Sequence, residues 1–218
     1  MRKLAFLLAA AALVLASPAR TQAGLMLYLD DGVGNTATIS DGGSGDSNPL
    51  AGAITFIGPL GVWSLNVTTA LSKHTGLPPM IDLNSVNSSE GSGTLALAMF
   101  DTDFTGFAGP TTLTSRIGGT TVGSLTYLSG WDNGNVGGVY SGIVASFEVF
   151  GPGAFSGTFP KAVLLSDPFA LSQAVFISHS GAGTTSFDAE HKVPEPGTMT
   201  LLGLGFLTLA FRRRRASR

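Results

Sequence analysis

The chain has 218 residues, no cysteine, 12% charged residues and a formal net charge of −2. Lacking cysteine, it has no disulfide, no thiolate metal site and no cysteine nucleophile. The charge is segregated, with four basic and thirteen acidic side chains between Gly24 and Val193, a balance of −9 that excludes nucleic acid as a partner.

The N-terminus, MRKLAFLLAAAALVLASPARTQAG, sets Arg2 and Lys3 before an apolar run from Leu4 to Ala16. That run is short and alanine-rich for a membrane span. Thr21 and Ala23 supply small residues for a cleavage after Ala23, with Ala19 as the alternative. Residues 1–23 therefore read as a signal peptide handled by the Sec machinery.

From Gly24 onward the pattern has period two. Trp63, Leu65 and Val67 alternate with polar residues, as do Leu95, Leu97 and Met99 with smaller ones. Ile143, Ala145, Phe147 and Val149 form a third set, and Leu171, Gln173, Val175 and Ile177 a weaker fourth. Such alternation puts one face on a core and the other in water. Shorter strand candidates are 25–29, 35–39, 53–57, 112–117, 125–128 and 161–165. Clusters such as DGGSGDSNP, NSSEGSG and WDNGNVGG separate them, with Asn133-Gly134 as a tight hairpin turn. Prolines 110, 152, 160 and 168 are expected to interrupt longer elements. No segment reads as a three-turn helix. The fold expected for residues 24–180 is all-β, an antiparallel sandwich of jelly-roll type. Residues 181–193 are polar and charged and read as a linker.

Candidate chemistry is sparse. His74 falls in a Pro/Gly turn, His191 in the expected linker, and His179 at a strand end beside two serines. There is no G-x-S-x-G elbow. Asp30-Asp31 are adjacent carboxylates, and Asp101 and Asp103 would share a strand face, as a glycan hydrolase would use them. Asp41, Asp46 and Asn48 offer oxygens to calcium on a Gly-rich loop, though no Glu stands at the twelfth position of an EF-hand loop. An Asx-rich turn explains the same residues. Trp131, beside the expected hairpin turn, is the candidate for sugar stacking, with Tyr127 and Tyr140 as further platforms, whereas Trp63 follows a core phase. Asn66 and Asn87 head N-glycosylation sequons.

The last residues read VPEPGTMTLLGLGFLTLAFRRRRASR: Pro194, Glu195 and Pro196, an apolar run over 198–211, then Arg212, Arg213, Arg214 and Arg215. The run can make a short span if the arginines snorkel, and they would stay in the cytoplasm by the positive-inside rule. This order of features over residues 194–218 resembles the PEP-CTERM sorting signal of Gram-negative bacteria. The resemblance implies processing near Pro194–Pro196 by an exosortase, with the chain as substrate. WSLNVTT and MIDLNS also look like exported all-β domains that carry this tail. The expectation is a membrane-tethered precursor with a periplasmic body that ends at the cell surface or outside. Its expected function is that of a non-enzymatic component of the envelope or biofilm matrix. Binding of exopolysaccharide by a carbohydrate-binding module is the alternative.

Overall fold

The computed structural model describes residues 24–73, 78–138 and 142–194. Among these residues are twelve strands and no helix. One sheet has the order β2 (Thr36–Ser40), β1 (Met26–Asp30), β6 (Gly93–Phe104), β11 (Phe169–His179), β8 (Ser124–Asp132) and β9 (Ile143–Phe150). The second has the order β10 (Gly153–Leu165), β7 (Gly109–Thr121), β12 (Gly183–Lys192), β5 (Met80–Ser89), β4 (Trp63–Lys73) and β3 (Ala53–Leu60). Every pairing is antiparallel. The two sheets pack face to face as a sandwich, and the inward residues of each meet in one core.

The alternation seen in the sequence is what closes this core. Trp63, Leu65 and Val67 on β4, Leu95, Leu97 and Met99 on β6, and Leu171, Val175 and Ile177 on β11 are all buried. Each such Leu or Val contributes about 1.5–3 kcal/mol by leaving water. A register shift after Val67 moves the inward phase of β4 by one residue, so that Ala70 is buried next. Gln173 takes an inward place among these apolar residues because its groups are used. Its Nε2 donates to the Ala189 carbonyl across the sandwich at 3.1 Å, and its Oε1 accepts from Tyr127 Oη at 3.2 Å.

Several expectations change. Residues 183–192, within the expected linker, form β12, which is paired with β5 on one side and β7 on the other. Thr185, Phe187, Ala189 and His191 are its buried phase. A strand held on both edges, with half its side chains in the core, belongs to the body. Pro110 and Pro160 do not end strands, since they lie within the 13-residue β7 and β10. Pro160 lies on β10, an edge strand, which is where sheets accommodate proline. Asn133-Gly134 does not make a two-residue turn, since ten residues separate β8 from β9. The Asp132 carboxylate organises that loop by accepting from the Gly134 and Val136 amides at 2.7 and 3.1 Å.

β9 keeps the expected phase at Ala145, which packs on the core, but a register shift opposite Ser129 and Gly130 inverts the phase beyond it. Ser146 is buried, and Phe150 packs on the core and stacks with Phe155 at 4.8 Å. Ile143, Phe147 and Val149 are exposed by 57%, 61% and 64%.

Candidate functional site

The Pro194–Pro196 candidates follow a central strand in the sequence. After β12, Val193 is fully buried and its amide donates to the Pro79 carbonyl at 2.9 Å. Pro194 is the next residue and is half-buried. Having no N–H, it cannot continue the ladder. Among the described residues the last ladder bond is therefore made at Val193. Glu195, Pro196, the apolar run 198–211 and Arg212–Arg215 lie outside the described residues, as do Ala23, His74 and Tyr140. No helix among the described residues is long and apolar enough to cross a membrane.

The calcium candidates are engaged in loop closure. Asp46 Oδ1 accepts from the amides of Asn48 and Thr55 at 2.8 and 2.9 Å, and Oδ2 from that of Gly42 at 2.9 Å. Burial alone would raise this carboxyl, but the three amides together hold it below the usual carboxylate range. Asp41 Oδ2 accepts from the Gly52 amide at 2.7 Å. Asn48 accepts from the Leu50 amide and donates to Thr55 Oγ1 at 3.0 and 3.1 Å. These three side chains staple β2 to β3. No group of three or more His, Cys, Asp or Glu suited to a metal occurs among the described residues.

Asp31 has a similar task. It accepts from Asn35 Nδ2 and from the amides of Val33 and Asn35, at 2.5, 3.0 and 2.9 Å. The Asn35 side chain is the chief cause of its lowered pKa, opposed by burial and helped by the backbone amides. Gly61, at φ 57° in the β3–β4 turn, lies so close that a Cβ there would stand 2.1 Å from Asp31 Oδ2.

The two described histidines, His179 and His191, are interior and not surface groups. His179 Nδ1 and Nε2 meet Ser89 Oγ at 2.8 Å and Thr185 Oγ1 at 2.7 Å, and the ring lies 4.8 Å from that of Trp63. His191 Nε2 donates to the Gly130 carbonyl at 3.2 Å. Its Nδ1 must then accept from the Ser115 hydroxyl, 3.0 Å away. Ser115 accepts in turn from Ser129 at 2.6 Å, and Ser129 from Ser146 at 2.9 Å. This chain joins β12, β7, β8 and β9 across the sandwich. Burial lowers the pKa of both rings, that of His191 to about 4 despite the opposing Gly130 bond. Two Ser–His contacts exist, but each ring's second nitrogen bonds to a threonine or a carbonyl. The carboxylate that orients a catalytic triad is missing from both pairs.

Asp101 and Asp103 do not share a face. The ladder shifts opposite them, between Phe169 and Leu171, and Asp103 takes φ 66°. Asp101 is buried, whereas Asp103 is exposed and pairs reciprocally with Asn135 at 2.8 and 2.7 Å.

Trp131 is 6% exposed, and Tyr127 and Trp63 are buried too, so none offers a stacking face. Trp131 occupies the inward phase of Leu125, Tyr127 and Ser129, and its Nε1 is buried without a hydrogen-bond partner among the described residues. Of the sequon asparagines, Asn66 is exposed and Asn87 is fully buried.

What remains accessible are two contrasting outer faces. On the second sheet, Asp82, Arg116, Asp188 and Glu190 border a shallow cleft of about 510 Å³, beside a Lys192–Glu190 ion pair at 2.7 Å. On the first sheet, cross-strand rows set Phe147 beside Leu128 and Ala174, and Val149 beside Thr126 and Phe176. Half-buried Tyr28, Phe100 and Phe176 stand on this face. Asp30, Thr94, Thr126, Phe176 and Ser178 border a cleft there of about 310 Å³. Sequence reasoning missed this face because Phe176 falls on the polar-looking phase of β11, while Phe147 falls on the expected core phase of β9.

No curated protein matches the chain. Its likenesses among solved structures are remote. The K1 cleaved adhesin domain of Lys-gingipain from Porphyromonas gingivalis W83 shares 10% identity at a TM-score of 0.35, over 78% of this chain and 99% of that one. TmCBM61, solved in complex with beta-1,4-galactotriose, shares 8% at 0.31, over 62% and 90%. Tailspike protein 4 of bacteriophage CBA120 shares 9% at 0.34, over 62% of this chain and 20% of the tailspike chain. These likenesses extend no further than the all-β architecture. The tail is another matter. Residues 192–215 match the family model of the PEP-CTERM protein-sorting motif, beginning at the last residue of β12. Residues 192–215 thus carry a PEP-CTERM protein-sorting motif, and the motif implies an exported, membrane-anchored precursor processed in an exosortase-dependent way.

Proposed function

We propose that the protein is a non-enzymatic component of the cell envelope or extracellular matrix, delivered outward as an exosortase substrate. Residues 1–23 direct export through the Sec machinery. Residues 198–211 hold the precursor in the inner membrane with Arg212–Arg215 in the cytoplasm, and processing falls at Pro194–Pro196. The observation that carries this reading is the junction itself. The sorting motif starts where the last core strand ends, so processing after Val193 leaves a complete sandwich. The burial of both described histidines and of Asp101 in the body supports a structural use of those groups. Replacing Pro194, Glu195 and Pro196 together by alanine should leave the chain in the membrane fraction of an exosortase-bearing host, while the native chain reaches the surface or medium. Equal release of both would contradict the reading.

A second reading, exopolysaccharide binding, moves from Trp131 to the outer face of the first sheet. Half-buried Phe176, with Asp30, Thr94 and Thr126 around it, combines an apolar platform with polar groups at the scale of a sugar ring. Cosedimentation with the host's own exopolysaccharide should weaken in Phe176→Ala. Unchanged binding would remove this face from consideration.

A further inference from the structure

The outer face of the first sheet differs in charge from the outer face of the second. Among the described residues, the outward phases of its six strands carry no Lys, Arg or Glu, since Glu148 lies opposite Tyr127 on the other face. Their two carboxylates are engaged locally, Asp30 with Tyr28 Oη and the Gly32 amide at 3.1 and 2.7 Å, and Asp132 with its own loop. Three cross-strand rows run over β9, β8 and β11: Val149, Thr126 and Phe176, then Phe147, Leu128 and Ala174, then Val144, Gly130 and Ser172. The β9 member of each row is more than half exposed. In the middle row Phe147 projects on one side of Leu128, and Ala174, small and 2% exposed, leaves a hollow on the other. Further along, Gly137 of the β8–β9 loop lies against Phe100, where a Cβ would stand 2.6 Å from the ring, and covers the face over β6 there. What stays open is centred on β8.

We infer that this face is a self-association surface, on which a second copy of the chain stacks its own first sheet about a two-fold axis running along β8. Face-to-face stacking buries the outward side chains of both sheets. Neighbouring strands lie ~4.8 Å apart, so Phe147 and Ala174 flank Leu128 at equal distance. The two-fold sets Phe147 of each copy over Ala174 of the other, Val149 over Phe176, Val144 over Ser172, and Leu128 against its own copy. Such an interface is isologous and closes at a dimer. Charge selects the occupant. Each body carries −9, and here, unlike on the outer face of the second sheet, two copies meet without opposing free carboxylates. Having no cation, the face offers nothing to an anionic polymer or an anionic lipid surface. A sugar ring in the cleft beside Asp30 would cover Phe176 but leave Phe147, two strands away, in water.

The surface involved fixes the strength. At roughly 150–200 Å² per large side chain, the open parts of Val144, Phe147, Val149, Leu128 and Phe176 come to on the order of 500 Å² per copy. A pair buries about 1,000 Å², at the lower limit of a specific interface. The dimer is therefore weak in dilute solution and favoured by mass action where copies are concentrated. The acidic bodies repel one another at longer range, so salt strengthens the pair.

Sedimentation of the native chain recovered from an exosortase-bearing host should show a concentration-dependent dimer. Salt should strengthen it, and Phe147→Lys, which would bury a charge in the interface, should weaken it at least about tenfold. Stacked sheets lie ~10 Å apart, too far for a disulfide but within reach of a short bis-maleimide, and the native chain has no cysteine to interfere. Leu128→Cys should therefore cross-link to a dimer, and Val86→Cys, 41% exposed on the outer face of the second sheet, should not. A monomer at every concentration, equal cross-linking at residue 86, or polymers beyond the dimer would each overturn the inference. A monomer that loses exopolysaccharide binding in Phe147→Lys would also overturn it and give the face to a glycan.

Discussion

His191 shows what the sandwich does with groups that resemble catalytic ones. It lies fully buried, donates to Gly130 and accepts from Ser115, and its pKa falls from the ordinary 6.5 to about 4. Between those values the unfolded chain binds a proton that the folded chain refuses. The stability it contributes is therefore full above about pH 6.5 and declines as pH falls toward 4. The loss over that window is on the order of 3 kcal/mol. His179, lowered by burial as well, acts in the same direction. The urea midpoint of the native chain should drop clearly between about pH 7.5 and 4.5, and His191→Gln should flatten that dependence. An unchanged slope in the variant would mean that another group is responsible. Trp131 teaches a different lesson about reading. Its position beside a turn suggested exposure, yet the alternation of Leu125 and Tyr127, carried four residues further, reaches it on the inward phase. That signal was present in the sequence and outweighs proximity to a loop.

β12 was illegible for a physical reason. Its inward residues are Thr185, Phe187, Ala189 and His191, with one large apolar side chain among them, and its outward residues are polar. Hydrogen bonding, Thr185 to Thr121 at 2.6 Å and His191 to Ser115, takes the place that apolar side chains hold in β4 and β6. By contrast, the strands around Trp63, Leu97 and Val175 were legible because their core faces are apolar. β9 misled because both of its phases contain apolar residues, so alternation alone could not say which face was inside. The domain end shifts accordingly, from 180 to 193. A chain of residues 24–180 would leave both β5 and β7 with unpaired inner edges and a slot in the core, and should not fold cooperatively. A chain of residues 24–193 should give a single sharp thermal transition by near-ultraviolet circular dichroism. Cooperative folding of the shorter chain would return residues 181–193 to the role of a linker.

Over the whole molecule, opposite charge is segregated. Residues 24–193 carry −9, and the basic residues concentrate at the two ends, as the proposed export route would use them. The sequence showed this directly, because charge and motif order need no folding to be read. The body's use stayed hidden, because it depends on which strands lie at edges and which aromatics face outward, and only the sheet order decides that. The structure adds that the last core strand ends where the match to the sorting motif begins, and the proposed function places processing just beyond it. Intact mass spectrometry of the protein from surface and medium fractions of an exosortase-bearing host tests that account most directly. It predicts a mature chain that keeps all of β12 and Val193, ends within Pro194–Pro196 and lacks Arg212–Arg215. A mass that retains those arginines, or an end inside residues 183–192, would contradict it.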